Sequence, residues 1–166
     1  MYKDHVEEAY VQGEQFAAGV SVGPTVCKAQ QEKILAYIES AKQEGGRIIT
    51  GGKIPSYTNK NGYYLEPTII ADCNQDMKVV REEIFGPVVT VSKFTSDEEA
   101  IKLSNDSEYG LAAYLFTKDL VRSQNYIRKV QSGQVVGNFT FAADFRLPFG
   151  GYKMSGNGRE LGDEGL

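Results

Sequence analysis

The stretch Arg81-Glu82-Glu83-Ile84-Phe85-Gly86-Pro87-Val88 decides how the rest of the chain is organised. Gly86 is free to take backbone angles closed to other residues, while Pro87 fixes its own φ and biases Gly86 away from helix. The β-branched run that follows predicts a buried strand. Glu83 and Phe85 are therefore predicted to lie on a stiff loop at the mouth of a strand, where α/β folds bind ligands. A plain turn into a strand, with solvated carboxylates, fits the same residues.

Strand and helix patterns alternate along the whole chain. Short runs rich in β-branched and apolar residues predict strands at 47–50, 63–71, 88–94, 111–116 and 134–138. Amphipathic patterns predict helices over 2–16, from about 27 to the glycines at 45 and 46, from 97 to about 105, and from 120 to the Ser-Gly at 132 and 133. This alternation predicts an α/β fold with three layers, a mostly parallel sheet with helices on both faces. At 166 residues the chain is predicted to form one domain, 1–166.

Two helix starts carry a capping signal. The sequence Ser96-Asp97-Glu98-Glu99 is typical of a capping box, in which Ser96 accepts from the backbone of Glu99 while Glu99 reaches back. Asp119 is predicted to cap the helix that follows it.

The charge balance and residue counts exclude several classes of function. A net charge of -4 argues against nucleic-acid binding, and no stretch approaches the roughly 20 apolar residues of a membrane span. His5 is the only histidine, so neither a Ser-His-Asp site nor a histidine-based metal site can be built. Cys27 and Cys73 lack the spacing of a disulfide framework, which favours a reducing compartment. The cytoplasm is predicted, with a mitochondrial origin open if an N-terminal portion has been lost.

A second long motif lies near the end, at Leu147-Pro148-Phe149-Gly150-Gly151-Tyr152-Lys153-Met154-Ser155-Gly156-Asn157-Gly158-Arg159-Glu160-Leu161-Gly162. This motif and the Glu-Glu-Ile-Phe-Gly-Pro of the first stretch resemble the aldehyde dehydrogenase superfamily, matching its C-terminal signature and its nicotinamide-side cofactor loop. The similarity extends from about Tyr2 to Leu166. It implies the rear, C-terminal part of the catalytic domain of an enzyme that oxidises an aldehyde to a carboxylic acid with NAD or NADP.

The resemblance also implies what is missing. The family's nucleophile lies in a Gly-Gln-x-Cys loop and its general base in a Glu-Leu-Gly-Gly segment, and this sequence has neither. The Rossmann cofactor half with its phosphate-binding loop is absent too. Cys27 matches a structural helix start of the family rather than its nucleophile loop, and Cys73 stands where an apolar residue would serve. The isolated chain is therefore predicted to be inactive.

The residues that carry over from the family have supporting roles. Glu83 matches the Glu that binds the nicotinamide ribose hydroxyls, and Phe85 matches the aromatic residue that packs near the nicotinamide. Phe149 matches an aromatic residue lining the aldehyde tunnel. Asn138 matches an Asn that closes a strand near the site, where it supports the backbone.

Glu160 matches a buried family carboxylate suggested to relay protons through water. From the residues alone it equally fits an ion pair with Arg159 or Lys153.

Two departures from the family leave the substrate open. Where the family usually has Trp-Val-Asn, this sequence has Val136-Gly137-Asn138, and Ala143 stands opposite Phe149 at a position that is often aromatic. The pocket is therefore either wider than in the family or filled by other aromatic residues, namely Phe139, Phe141 and Phe145.

Three hypotheses about function remain. The first is a part of an NAD(P)-dependent aldehyde dehydrogenase. The second is a truncated, non-catalytic family member that binds or modulates a full-length dehydrogenase subunit. The third is a free-standing cofactor-binding module, which is disfavoured because Glu83 and Phe85 contact only one end of the cofactor. The chain stops at Leu166, before the family's last strand, which pairs across the subunit interface; this implies an exposed sheet edge and a homo-oligomeric parent.

Overall fold

The computed structural model describes residues 2–56, 62–140 and 144–165. The chain folds as two compact units, Met1–Lys93 and Phe94–Leu166. Each unit has its own helices and its own strand pairings. The assignment of 1–166 to a single domain stays a prediction.

The first unit is a helix packed on a small mixed sheet. Its elements are α1 (Tyr2–Ala9), α2 (Lys28–Gln43), β1 (Arg47–Thr50), β2 (Thr68–Ala71), α3 (Lys78–Arg81) and β3 (Val88–Thr90). The sheet has the order β1-β2-β3, in which β1 and β2 pair antiparallel and β2 and β3 pair parallel.

Helix α2 forms the centre of this unit's core. Its apolar stripe is fully buried at Ile34, Ile38 and Ala41, because these residues share the helix face turned to the sheet. Gly45 takes a positive φ of 97° and ends the helix, as the glycine pair predicts. A Cβ at Gly46 would lie 2.9 Å from the carbonyl oxygen of Ala41, so the chain turns tightly against the end of the helix.

The second unit consists of two helices, two strand pairs and a terminal turn. Its elements are α4 (Asp97–Asn105), β4 (Tyr109–Gly110), β5 (Ala112–Leu115), α5 (Leu120–Lys129), β6 (Gln134–Gly137), β7 (Tyr152–Lys153) and a 3-10 turn (Asp163–Gly165). Strands β5 and β6 pair parallel, and β4 and β7 pair antiparallel.

The predicted caps hold both helices of this unit at their first turns. The Ser96 hydroxyl accepts from the amide of Glu99 at 3.1 Å, and the Asp119 carboxylate accepts from the amide of Arg122 at 3.0 Å. The returning half of the capping box differs from the prediction, since the Glu99 carboxylate accepts from the amide and hydroxyl of Thr95, one residue earlier, at 2.7 and 2.6 Å. These hydrogen bonds hold the pKa of Glu99 below its ordinary value.

The α/β class is confirmed, while the strands differ from the prediction in extent and pairing. Among the described residues, two pairings are parallel and two are antiparallel, in separate small sheets. The three-layer arrangement stays a prediction. The strand predicted from residue 63 begins only at Thr68, because Pro67 has no N–H to donate. The strand after Pro87 ends at Thr90 and is not buried, since Val89 is 52% exposed. The first predicted helix ends at Ala9.

None of the helices in the described part of the chain is long and apolar enough to cross a membrane.

Candidate functional site

Glu83 and Phe85 lie on the segment that joins α3 to β3, as the sequence predicts. Both side chains are exposed, and Phe85 is 74% exposed. Phe85 also has a positive φ of 57°, which a bulky residue adopts only when its surroundings impose it. Among the described residues, the Glu83 carboxylate has no hydrogen-bonding or ion-pair partner. The loop therefore offers an open carboxylate and an open aromatic ring.

Helix α2 holds the backbone of this loop through Gln30. The side-chain amide of Gln30 donates to the carbonyl of Ile84 at 3.2 Å and to the carbonyl of Phe85 at 2.9 Å. Two successive carbonyls on one amide group fix the peptide planes on both sides of Phe85. The unusual backbone of Phe85 is thus supported from outside the loop.

Apolar packing anchors the same loop beside Gln30. Ile84 is buried in the core of the first unit, where Ile34 of α2 also lies. A Cβ at Gly86 would lie 2.5 Å from Cδ1 of Ile34, so only glycine lets the backbone approach the helix this closely. The Pro87 carbonyl then accepts from the amide of Thr68 at 2.8 Å, which passes the chain into the sheet.

The other end of the segment is tied to the same helix. Glu44, directly after α2, accepts from the amide of Lys78 at 2.8 Å and so caps α3. The Tyr37 hydroxyl donates to the Glu82 carboxylate at 2.7 Å. Residues 78–86 therefore run along α2 in the opposite direction and are held at both ends.

In the second unit, the structure brings Phe149 and Glu160 together. They form an isolated antiparallel bridge, in which each amide donates to the other's carbonyl at 2.7 Å. Phe149 is half-buried, whereas the Glu160 side chain is exposed. The bridge fixes the two backbones and leaves the Glu160 carboxylate at the surface of this unit.

The alternative pairing of Glu160 with a neighbouring cation is not found among the described residues. The Arg159 guanidinium donates instead to the carbonyls of Gly151 and Gly158, at 2.9 and 2.7 Å. Lys153 donates to two carbonyls at and beyond the end of α4, those of Asn105 and Ser107, at 2.8 and 2.9 Å.

Asn138 closes β6 onto the end of β5. Its backbone has a positive φ of 55°, and its amide donates to the carbonyl of Leu115 at 2.7 Å. Its side chain accepts from the amide of Thr117 and donates to the carbonyl of Thr117, both at 2.8 Å. This two-way bond to one residue is what backbone support requires, since it uses both the acceptor and the donor of the side-chain amide.

A family model for the aldehyde dehydrogenase family matches residues 1–166. The chain belongs to the aldehyde dehydrogenase family. It is 46% identical over 167 residues to a putative aldehyde dehydrogenase-like protein of Schizosaccharomyces pombe, covering 100% of this chain and 33% of that protein. It is 45% identical over 151 residues to the chloroplastic betaine aldehyde dehydrogenase of Beta vulgaris, covering 91% of this chain and 30% of that protein.

The fold of this aldehyde dehydrogenase chain is shared with solved structures. A crystal structure of betaine aldehyde dehydrogenase from Staphylococcus aureus in complex with NAD+ matches it with a TM-score of 0.92 at 43% identity, covering 98% of this chain and 32% of that one. The chain spans about a third of the length of these relatives. The predicted membership of the superfamily is confirmed. The predicted place of the chain toward the rear of the catalytic domain stays a prediction.

The two cysteines of this aldehyde dehydrogenase chain have different environments. Cys73 is buried, and burial raises the pKa of its thiol, with the nearby charge of Asp72 adding to the shift. Cys27 is exposed and precedes the first residue of α2, without a side-chain hydrogen bond to the helix. A nucleophilic thiol needs an adjacent base, a lowered pKa or a metal, whereas the pKa of Cys73 is raised. Among the described residues, no group of three His, Cys, Asp or Glu side chains could hold a metal ion.

Part of the predicted aldehyde pocket lies outside the described residues. Ala143, predicted opposite Phe149, is one of these residues, and Phe141 is another. Phe139 and Phe145, on either side of the gap, are 59% and 78% exposed. The width of the pocket stays a prediction.

Sequence reasoning missed the scaffold of the loop that carries Glu83 and Phe85. It did not predict α3, Gln30 or Tyr37 as parts of the site. A signal was present, because Gln30, Ile34 and Tyr37 have the i, i+4, i+7 spacing of one helix face. A glutamine on an otherwise apolar face must find a hydrogen-bonding partner when the face is covered. That partner is the loop.

Proposed function

We propose that this chain is one part of an NAD(P)-dependent aldehyde dehydrogenase, which oxidises an aldehyde to a carboxylic acid. One observation carries the proposal: a loop fixed by α2 that leaves the Glu83 carboxylate unpaired among the described residues and the Phe85 ring exposed. The solved relative from Staphylococcus aureus in complex with NAD+ supports the choice of cofactor. Neither Glu83 nor Phe85 selects between NAD and NADP or among aldehydes.

Glu83 suits the binding of a ribose. An ionised carboxylate is an acceptor with two oxygens, so it can receive one hydrogen bond from each of two vicinal hydroxyls. The residues on either side of it, Glu82 and Ile84, are both hydrogen-bonded to α2, and the Glu83 carboxylate itself makes no competing bond among the described residues. Little free energy is then lost in freeing or orienting the acceptor when the sugar arrives.

Phe85 suits the flat nicotinamide ring beside that ribose. The cofactor, when bound, accepts a hydride from the substrate, and this transfer depends on how the ring is held. A phenyl ring on a backbone held by Gln30 gives a firm apolar surface for that pose and excludes water from one side. Phe149 and Ala143 are proposed separately as residues of the aldehyde tunnel, the role that the family match implies.

Glu160 and Asn138 are proposed in the supporting roles that the family match implies. Glu160 is proposed to relay protons. Its carboxylate is not paired with Arg159 or Lys153, and its backbone is fixed by the bridge to Phe149. Asn138 holds the strand end through Thr117.

We also propose that the chain by itself is inactive. Cys73 is held as a buried, neutral thiol, and Cys27 lies at the start of a structural helix with no described base. Aldehyde-dependent formation of NADH by the purified chain, abolished by Cys27→Ser, would overturn this.

The cofactor loop is tested in the complete enzyme that contains this sequence. Glu83→Gln keeps the size of the side chain and removes its charge, so we expect KM for NAD(P)+ to rise by about tenfold, the loss of a charge-assisted bond. Phe85→Leu should lower kcat more than it raises KM for NAD(P)+, because the nicotinamide ring still binds but is no longer held in the orientation that hydride transfer needs. Glu8→Gln, at an exposed carboxylate of α1, is the matched control and should change neither. Equal effects of Glu83→Gln and Glu8→Gln would refute the assignment.

A second function is favoured by the exposed strands of the second unit. Strands β5 and β6 pair only with each other among the described residues, and Tyr114 and Phe116 on or beside β5 are 42% and 66% exposed. A two-stranded sheet needs further strands or a covering layer to be stable. The chain as a truncated, non-catalytic member would dock there onto a full-length dehydrogenase subunit or a second copy. Co-purification with an intact dehydrogenase would support it, and a monomeric chain without partners would contradict it.

We propose the cytoplasm as the compartment of this chain, because of the state of its cysteines. Both are free thiols, one exposed and one buried. This fits the reducing cytoplasm. Nucleic acid and membrane partners are not proposed.

A further inference from the structure

Tyr37 makes a hydrogen bond to the residue that directly precedes Glu83. It lies in the middle of α2 and is 7% exposed, yet its hydroxyl reaches the Glu82 carboxylate at 2.7 Å. The ammonium groups of Lys33 and Lys78 lie over its ring, 5.7 and 5.1 Å from the centroid. A buried ring is thus surrounded by charged groups from α2 and α3 and bonded to the residue next to Glu83.

The surroundings make this a strong hydrogen bond. The acceptor is a carboxylate, and bonds to ionised groups are shorter and stronger than neutral ones. The two ammonium groups over the phenol ring also attract it by cation–π interaction, which helps to hold the ring in place. The hydroxyl also lies in a partly buried place, where the electrostatic part of the bond is less screened than in water.

The bond fixes the residue directly before Glu83. Glu82 ends α3 at a bend of the chain, with φ -106° and ψ 151°. Because Tyr37 holds the Glu82 carboxylate against α2, the segment that continues into Glu83 starts from a fixed position, and the Glu83 carboxylate is left exposed.

We propose that Tyr37 is a positioning residue for the cofactor, which holds Glu82 against α2 and thereby presents Glu83 to the nicotinamide ribose. This rests on the proposed function of Glu83. Tyr37 itself touches neither cofactor nor substrate in this role. It acts by keeping the loop in the one arrangement that binds.

Loss of the Tyr37 hydroxyl should reduce the fraction of molecules in which this loop has the conformation that binds the cofactor. Without the hydroxyl, the Glu82 carboxylate loses its partner beside a second carboxylate of the same charge, and the segment samples other arrangements. The apparent affinity for the cofactor falls by the fraction of loop that remains competent. Steps that follow cofactor binding keep their rate once the loop is occupied.

The test uses Tyr37→Phe in the complete enzyme, which removes only the hydroxyl. We expect KM for NAD(P)+ and Kd for NAD(P)H to rise about tenfold, the value of one net hydrogen bond to a charged group, with kcat and KM for the aldehyde changed less than about twofold. Tyr126→Phe is the matched control, since it removes a hydroxyl that lies 3.0 Å from the Ser104 hydroxyl in the second unit. It should leave cofactor binding unchanged.

Two further variants separate positioning from stability. Glu82→Gln keeps a neutral acceptor for Tyr37 and should weaken cofactor binding less than Tyr37→Phe does, whereas Glu82→Ala should behave like Tyr37→Phe. Tm is measured for both tyrosine variants. If cofactor binding weakens in Tyr37→Phe and in Tyr126→Phe to the same extent for the same loss of Tm, the role of Tyr37 is merely structural and the proposal is overturned.

A comparison with Glu83→Gln separates a failure of the positioning role of Tyr37 from a failure of the proposed cofactor-binding role of Glu83. If Glu83→Gln weakens cofactor binding and Tyr37→Phe does not, the positioning role is wrong and the cofactor loop stands. If neither variant has an effect, both assignments fall.

Discussion

The side-chain amide of Gln30 in α2 donates a hydrogen bond to the backbone carbonyl of Phe85, 55 residues further along the chain, at 2.9 Å. The same amide reaches the carbonyl of Ile84. Because Phe85 has a positive φ, its peptide relaxes when this support is removed. The conformation of the loop that carries Glu83 and Phe85 is thus set by a helix that precedes it.

Gln30→Ala is therefore expected to loosen the loop without unfolding the unit. Hydrogen exchange of a peptide covering 82–88 should become faster, while peptides from the core of α2 keep their protection. Gln43→Ala, at the exposed last residue of α2, is the control and should leave both unchanged. Equal exchange of the loop in the two variants would show that Gln30 does not hold it.

The contact of Gly86 with Ile34 makes a second prediction. A Cβ at position 86 would lie 2.5 Å from a fully buried side chain, so Gly86→Ala forces the core or the loop to shift. We expect the free energy of unfolding in urea to fall by about 1–3 kcal/mol, the usual cost of overpacking. Gly23→Ala meets nothing within 4 Å and should change it by less than about 0.5 kcal/mol. No difference between these two variants would contradict the close packing.

Local patterns predicted the elements of this fold well where they act within one segment. The apolar stripe of α2, its glycine stop and the caps at Ser96 and Asp119 all depend on neighbours a few residues away, and all are observed. The strand lengths were less predictable. A strand ends where its partner ends, and β3 pairs only with the short β2 among the described residues. The apolar run after Pro87 alone therefore indicated a longer strand than the one that forms.

The sequence predicted that Glu83 and Phe85 lie on a loop before a strand, and the structure places both on the segment before β3. Their role in binding a cofactor stays a prediction. The α2 residues that hold this loop were missed. The bonds from Gln30, Tyr37 and Glu44 cross 34 to 55 residues, and no local pattern states which loop a helix face will meet. Such contacts follow from tertiary packing rather than from propensity.

The two thiols are expected to react at different pH. Burial raises the pKa of Cys73, so its thiolate, the reactive form, is scarce at neutral pH and becomes available only at higher pH than for an ordinary thiol. Cys27 is exposed. With iodoacetamide at pH ~8, near the pKa of an ordinary thiol, peptide mapping should find Cys27 alkylated and Cys73 unmodified, and denaturant should make both react. Cys27→Ser should leave the native protein nearly unlabelled. Rapid labelling of Cys73 in the native chain would contradict its burial.

Asn138 combines a positive φ with two side-chain bonds to Thr117, and substitutions can separate the two contributions. Asn138→Ala loses both bonds and puts a poorly suited residue at that φ, so we expect the free energy of unfolding to fall by about 2–3 kcal/mol. Asn138→Gly loses the same bonds but tolerates the backbone, so its loss should be smaller by about 1 kcal/mol. Asn138→Asp keeps the acceptor for the Thr117 amide and loses the donor to its carbonyl, and should fall between the original chain and the alanine variant. Asn125→Ala, inside α5, is the control and should cost less than about 0.5 kcal/mol. If the glycine variant were as unstable as the alanine variant, the backbone angle would contribute nothing and the hydrogen bonds would carry the whole effect.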